Sequence, residues 1–266
     1  MPTPIDILLD PLTLCVLGLL AALMLWERVA PGRALPKVRG WLPRALASLM
    51  AYLMLSTYLP LLWADALAPV QLLDLSAWPT AGAAVLGVLV YEFIGYAYHR
   101  AMHSFTPLWR LLHQMHHSAE RQDVASAFWF SPLDMIGWTL VNSVAFTLIG
   151  LPAQAATPAI LFITFLAVFQ HANVRTPRWL GYLVQRPESH SLHHERGVHR
   201  DNYADLPVID MLFGTFRNPR GYATETGLWH GASSRVLDML MLRDLASRRE
   251  SAAESVVEIT PARRPS

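Results

Sequence analysis

Cysteine is almost absent from this chain of 266 residues, and the single one, Cys15, sits inside an apolar run. That excludes an internal disulfide, a CxxC zinc site and a cysteine-bound iron–sulfur cluster. Charge is scarce as well. Only 15% of residues are charged and 53% are hydrophobic, against about 25% and about 45–50% in average soluble domains. So apolar a chain is not disordered, and 21 Lys+Arg against 20 Asp+Glu leave a formal charge of +1, too balanced for a dedicated nucleic-acid binder. A glycine-rich dinucleotide fingerprint is missing, as are internal repeats and low-complexity segments. Lysine occurs once, at Lys37, and arginine supplies the remaining basic charge, a composition that suits a GC-rich bacterial genome. The abundant residue is histidine: eleven in all, ten of them between positions 99 and 199.

Four apolar stretches stand out. Residues 11–26, 45–63 and 81–98 approach or reach the roughly 17–25 residues that a membrane-spanning helix needs. The fourth runs from Met135 to Gln170 and contains Gly150, Pro152 and Pro158. It is expected to form two short helices, 135–149 and 159–170, joined by a tight turn as a hairpin. Residues 1–10 carry no Lys or Arg, so they lack the positive region of a signal peptide. Basic residues are segregated: Arg28, Arg33, Lys37, Arg39 and Arg44 lie between the first two stretches, while 1–10, 64–80 and 151–158 have none. The positive-inside rule then puts the N-terminus outside and the 28–44 loop, with all the histidines, in the cytoplasm. A soluble bundle with very apolar core helices is the competing reading, and it gives no reason for that segregation. The expected fold is all-α: an integral membrane helical bundle with a cytoplasmic, histidine-rich cap holding a dinuclear metal site. The expected division is 1–80 for N-terminal transmembrane helices and basic loop, 81–220 for the catalytic domain, and 221–266 for a cytoplasmic C-terminal segment with a loose tail at 246–266.

The histidines come in boxes. His99 and His103 form HxxxH; His113, His116 and His117 form HxxHH; His190, His193 and His194 form a second HxxHH; and His171 and His199 stand alone. On a helix, residues three and four apart are neighbours, so each box is expected to aim two or three imidazoles at one point. Eight such ligands, or ten with His171 and His199, exceed what one four- or five-coordinate ion uses and suffice for two. Imidazole suits iron, zinc, copper and nickel, and a catalytic zinc takes about three protein ligands. An all-imidazole pair therefore favours two iron ions, with zinc an occupant on isolation. A haem would need one or two of these histidines. A lone surface histidine is usually just solvated, which is the reading given to His230.

The boxes HRAMH, HQMHHS and HSLHH, with Asn202-Tyr203 and the closing VIDMLFGTF at 208–216, resemble the sterol desaturase/fatty acid hydroxylase superfamily from about Val85 to Phe216. The resemblance implies a membrane-bound di-iron oxygenase. Carried over by position, His99 and His103 match its first box, His113, His116 and His117 its second, and His190, His193 and His194 its third. His171 matches a histidine often found between the second and third, and His199 lies where relatives vary. Many members have His before the Pro that follows the second box, whereas this chain has Ser131 before Pro132.

Metal-bound imidazoles usually donate their other N–H to a carboxylate or carbonyl. Glu92, Asp123 and Asn173 are the candidates for that role, with Glu195, Asp201 and Asn202 also close in sequence, although each alone is more often a cap or surface residue. Trp109, Phe128, Trp129 and Phe130 are candidates to line a lipid pocket, with packing the commoner role. The expected activity is O2-dependent hydroxylation or desaturation of a lipid (sterol, fatty acyl or related) at the bacterial inner membrane. Electrons would come from an external ferredoxin, cytochrome or pterin-type reductant. Two rival readings are a non-catalytic membrane metal-binding protein and a zinc hydrolase using Glu92 or Glu195 as base.

Overall fold

A computed structural model describes residues 1–246; most of the tail at 246–266 lies outside the described residues. The chain starts with a short helix, α1 (Pro4–Leu9), followed by α2 (Pro11–Val29). Asp6 and Asp10, which interrupt the apolar run, are the caps. Asp6 completes a capping box with Thr3, and the Asp10 side chain accepts the N–H groups of Leu12 and Thr13, satisfying donors that a helix start leaves free. Then come α3 (Trp41–Leu67) and α4 (Thr80–Ser104). The helices Pro11–Val29, Trp41–Val70 (α3 with the 3-10 turn that continues it) and Thr80–Ser104 are long and apolar enough to cross a membrane. Leu14, Leu25, Leu61, Leu62, Val85, Leu89 and Phe93 point their apolar side chains outward from them.

Beyond α4 the chain makes α5 (Thr106–Leu108), a π-turn over Trp109–His113 and α6 (Gln114–His117). An apolar hairpin follows, α7 (Pro132–Leu148) and α8 (Ala153–Phe169). The hairpin differs from the sequence expectation: α8 begins at Ala153 and runs through Pro158. Proline removes one bond, to the carbonyl four residues back, and here that residue is the exposed Gln154 near the helix start, so the helix continues. The hairpin turn reaches the loop that joins α3 to α4, where Leu72 donates to the Leu148 carbonyl at 2.8 Å and Leu75 to that of Gly150 at 3.3 Å. Gly150 has φ +55°, and a Cβ there would stand 2.6 Å from the Leu73 carbonyl oxygen, so glycine is required at this turn.

Helix α4 packs between α7 and α8, α3 lies along α7, and α2 lies along α8. A Cβ at Gly137 of α7 would lie within 2 Å of the Tyr98 hydroxyl of α4, so the missing side chain sets how closely these two helices approach. The segment between α6 and α7 is fastened to α3 by Ser48 Oγ donating to the Phe128 carbonyl (2.6 Å) and Trp41 Nε1 donating to Asp123 Oδ1 (3.1 Å). The C-terminal half adds three short helices, α9 (Pro187–His193), α10 (Pro207–Phe213) and α11 (Val236–Leu240). Glu120 ties the last stretch down, accepting from Gly231 N (2.5 Å) and from the Ser233 hydroxyl.

Candidate metal centre

Nine of the ten histidines between 99 and 199 converge in two buried groups. The first comprises His99, His103, His113, His117 and His193; the second His116, His171, His190 and His194; within each, one nitrogen per ring lies within 4.8 Å of the others. The groups share a wall: the rings of His117 and His194 stack at 4.1 Å, and those of His113 and His116 lie 4.9 Å apart.

This arrangement corrects the expectation that each box aims at one point. Positions i and i+4 of a box share a direction, whereas i+3 is turned by about 100° from i+4. His113 and His117 thus enter the first group and His116 the second; in the third box His190 and His194 enter the second group and His193 the first. The two HxxHH boxes divide in opposite senses. The π-turn assists: Gln114 N bonds five residues back to the Trp109 carbonyl, and His113 closes that wide turn. Such turns are common at functional sites.

Each ring of the first group is oriented through its second nitrogen. Nδ1–H of His99 donates to the Tyr203 carbonyl (2.7 Å), that of His103 to the His199 carbonyl (2.8 Å) and that of His193 to the Asp201 carbonyl (2.7 Å). The three acceptors alternate along one strap, 199–203. His199, Asp201 and Asn202 there have φ of 43°, 68° and 53°, a left-handed conformation that Asn, Asp and His tolerate better than most residues. Asn202 pins the strap: its Nδ2 donates to the Ser189 carbonyl (3.0 Å) and its Oδ1 accepts from Arg217 N (2.7 Å). His113 Nδ1 lies 3.0 Å from Asp134 Oδ2, both fully buried. In the second group His171 Nδ1 donates to the Ala167 carbonyl at 2.7 Å.

With Nδ1 carrying the proton, Nε2 of His99 and of His113 are both bare, yet they stand 3.0 Å apart. His171 Nε2 is bare for the same reason and lies 3.2 Å from His116 Nε2 and 3.1 Å from His190 Nε2. The Nε2 atoms of His103, His117 and His193 are buried with no hydrogen-bond partner. Lone pairs facing one another out of water repel, and a shared cation turns that repulsion into bonding. The donor set fits metal ions that accept imidazole nitrogen.

Other sequence candidates fall elsewhere. His199 is outside both groups: its Nδ1 lies 3.0 Å from His117 Nδ1, and its carbonyl serves His103. Glu92 accepts from the backbone of Asp205 and Leu206, Asp123 from Trp41 and Arg121, and Asn173 from Arg33; none bonds a histidine. Backbone carbonyls and Asp134 take that role instead. Carbonyls leave no mark in a sequence, whereas Asp134, three residues after the Ser131 cap of α7, has a spacing that could have flagged it. Ser131, at the position where the family resemblance raised the expectation of a histidine, caps α7, its side chain accepting from Asp134 N. Glu195 bridges to Thr226, and the exposed His230 stays apart from both groups.

A cavity of about 250 Å³ runs from the histidines down between α2, α3, α4, α7 and α8, touching His99, His113, His116, His171 and His190. Phe128 and Phe130 line it. Trp109 instead packs its ring on His117 at 4.9 Å, and Trp129 packs on Trp41 at 5.3 Å.

Burial, reinforced by neighbouring imidazoles, holds His113, His116, His117, His190, His193 and His194 well below the ordinary histidine value of 6.5. Burial takes His171 and His199 down to about 4. It also lifts Asp205 to about 7 and Asp210 to about 6, and raises Asp123 and Asp134 above the ordinary carboxylate value. Unfolding frees the depressed imidazoles to bind protons below 6.5, so they cost stability as pH falls from 7 toward 4. The raised carboxyls bind protons first in the folded chain and gain stability over the same descent. Eight imidazoles against four carboxyls give a net loss. His171 alone contributes about 2 kcal/mol of that loss by pH 5. The unfolding temperature of chelator-stripped protein is therefore expected to fall between pH 7 and pH 5; a rise would show that the carboxyls dominate.

Residues 84–215 match the fatty acid hydroxylase family. Among curated proteins the chain is similar to ornithine lipid hydroxylase OlsE of Rhizobium tropici, 34% identical over 161 residues, which cover 57% of this chain and 47% of that protein. It is also similar to the Delta(7)-sterol-C5(6)-desaturase of Nicotiana tabacum, 30% identical over 141 residues (51% and 50%). A third relative is very-long-chain aldehyde decarbonylase GL1-5 of Oryza sativa subsp. indica, 26% identical over 189 residues (65% and 30%). The chain thus spans half or less of the length of these relatives. No solved structure matches it. Through residues 84–215, which hold the three histidine boxes and the strap, the chain belongs to the fatty acid hydroxylase family.

Proposed function

We propose that the protein is a membrane-bound, O2-dependent di-iron oxidoreductase that hydroxylates or desaturates a lipid. The observation that carries this reading is the pair of imidazole groups whose nitrogens converge, with the second nitrogens of His99, His103, His193 and His171 held by carbonyls and that of His113 by Asp134. His99, His103, His113, His117 and His193 would hold one iron, and His116, His171, His190 and His194 the other. Bound there, two irons supply the reduction of O2 and the oxidation of an unactivated C–H bond.

The protein's share is placement. The strap and Asp134 fix which nitrogen of His99, His103, His193 and His113 is bare, so these ligands are oriented in advance. Phe128, Phe130 and Ile163 give the cavity an apolar wall that holds an alkyl or polycyclic skeleton against the histidines and keeps water from it. The names of the relatives, an ornithine lipid hydroxylase and a sterol desaturase, support a lipid substrate. Hydroxylation consumes two electrons and two protons per O2, and the sequence offers no nicotinamide or iron–sulfur motif to supply the electrons, so an external ferredoxin, cytochrome or pterin-type reductant would deliver them. The basic loop at 28–44 supports a cytoplasmic histidine cap, and the arginine-rich composition supports a bacterial inner membrane.

The test is iron content and O2-dependent reductant consumption by the purified protein, with lipid profiles of a host carrying or lacking the gene, grown with and without air. About two irons per chain and an oxidised lipid made only in air are expected. Tight zinc with no oxygen consumption would overturn the reading in favour of a non-catalytic metal protein. Asp134→Asn keeps the side-chain volume and replaces the carboxyl facing His113 with an amide. Retention of iron by the first group against a chelator is then expected to fall about 10- to 100-fold; unchanged retention would deny Asp134 this role.

A further inference from the structure

About two helical turns below the histidines the cavity wall turns polar. In α4 Glu92 lies seven residues before His99, and toward the same end of the bundle Thr164 of α8 lies seven before His171. Helix α7 runs the other way, and Asn142 lies eight residues after Asp134, the partner of His113. At about 1.5 Å per residue these three residues share a depth of roughly 10–12 Å below the histidines, and all three line the cavity.

Two atoms at this level are unsatisfied. Glu92 is 2% exposed. Its Oε2 is fully engaged, accepting from Asp205 N and Leu206 N at 3.0 Å each, while Oε1 has no partner. Asn142 Oδ1 is likewise buried without a partner. Gln170 and Asp205 on the same wall are already committed to each other, Nε2 donating to Oδ1 at 2.6 Å. A buried polar atom with nothing to bond is costly, and sites built to hydrogen-bond a ligand group are where such atoms are kept.

We propose that Glu92 and Asn142 form a subsite for a hydroxyl group of the lipid substrate, which holds that hydroxyl about 10 Å from the carbon presented to the histidines. This rests on the lipid-oxidising reading above and narrows its substrate class. A hydroxyl both donates and accepts, so it satisfies Oε1 whether or not Glu92 carries a proton there, and it satisfies the Asn142 amide in either orientation. An ether or ester oxygen only accepts, and a plain alkyl chain does neither. In an extended chain the spacing corresponds to roughly eight carbon–carbon bonds.

The test measures binding of octadecan-1-ol and of octadecyl methyl ether to the purified full-length protein in detergent. The wild type is expected to bind the alcohol about tenfold more tightly. Asn142→Leu, which spares the hydrogen bonds of Glu92 to residues 205 and 206, is expected to cut that preference below about threefold, as is Glu92→Leu if it folds. Equal binding of alcohol and ether by the wild type, or a full preference kept by Asn142→Leu, overturns the subsite. Loss of the preference with O2-dependent lipid oxidation intact removes the subsite and leaves the reaction standing. A clear alcohol preference with no lipid oxidation does the reverse.

Discussion

Replacing His116 by alanine is expected to reduce lipid oxidation to background and to roughly halve the iron content, whereas His230→Ala leaves both unchanged. His116 supplies one of four nitrogens in the second group, and its Nε2 stands 3.2 Å from that of His171. Removing it leaves three imidazoles around a position where, in the proposed reaction, the ion would have to stay bound through a change of oxidation state. The first group keeps all five of its histidines, so it is expected still to hold its own ion and the protein to stay folded around it. Structural metal sites contribute directly to folding free energy, so the unfolding temperature is also expected to drop, though by less than full chelation produces. His230 has the same chemistry but lies exposed and apart from both groups, which makes it the control for any general effect of losing a histidine. Full activity in His116→Ala would remove this residue from the proposed ligand set.

The second large effect is expected at Asn202. Alanine there deletes two hydrogen bonds, a buried one to the Ser189 carbonyl and a part-buried one from the Arg217 N–H, and it puts a less tolerant residue at φ 53°. Together these cost about 2–4 kcal/mol. The loss does not stay local, because the carbonyls of His199, Asp201 and Tyr203 on the same strap orient His103, His193 and His99. Iron retention is expected to fall about 10- to 100-fold, the usual effect of losing the groups that orient metal ligands. Asn202→Gly separates the two causes: it restores the left-handed backbone and leaves the side-chain bonds broken, so it should recover only part of the stability. Wild-type unfolding and iron retention in Asn202→Ala would show that the strap holds without its pin.

The comparison of these two residues shows what a sequence can disclose. His116 was legible because a ligand is a side chain, and three boxes of the right spacing are hard to produce by chance. The three apolar helices were legible because runs of that length and apolarity suit the thickness of a bilayer. Asn202-Tyr203 was visible as a motif, yet its reason was not, since what the strap offers the histidines is backbone oxygen, which every residue carries. The division of each HxxHH box between two groups depends on the rotation of one helix against another. Asp134 is hidden from a search for acidic residues next to the boxes, because it reaches His113 from the start of another helix. Pro158 read as a break because proline is usually one; in α8 the carbonyl it leaves unbonded is on the exposed Gln154.

The split of the HxxHH boxes ties the two metal positions together. Each box is a single turn of helix that serves both positions, so it cannot be ordered for one and disordered for the other. An ion settling in either position would therefore stiffen the imidazoles that the other ion needs, and the conformational entropy of that second binding step would already be lost. By linkage the effect is mutual. Loading of the intact pair is thus expected to be cooperative, with a half-filled wild-type protein a minor species between an empty chain and a full one.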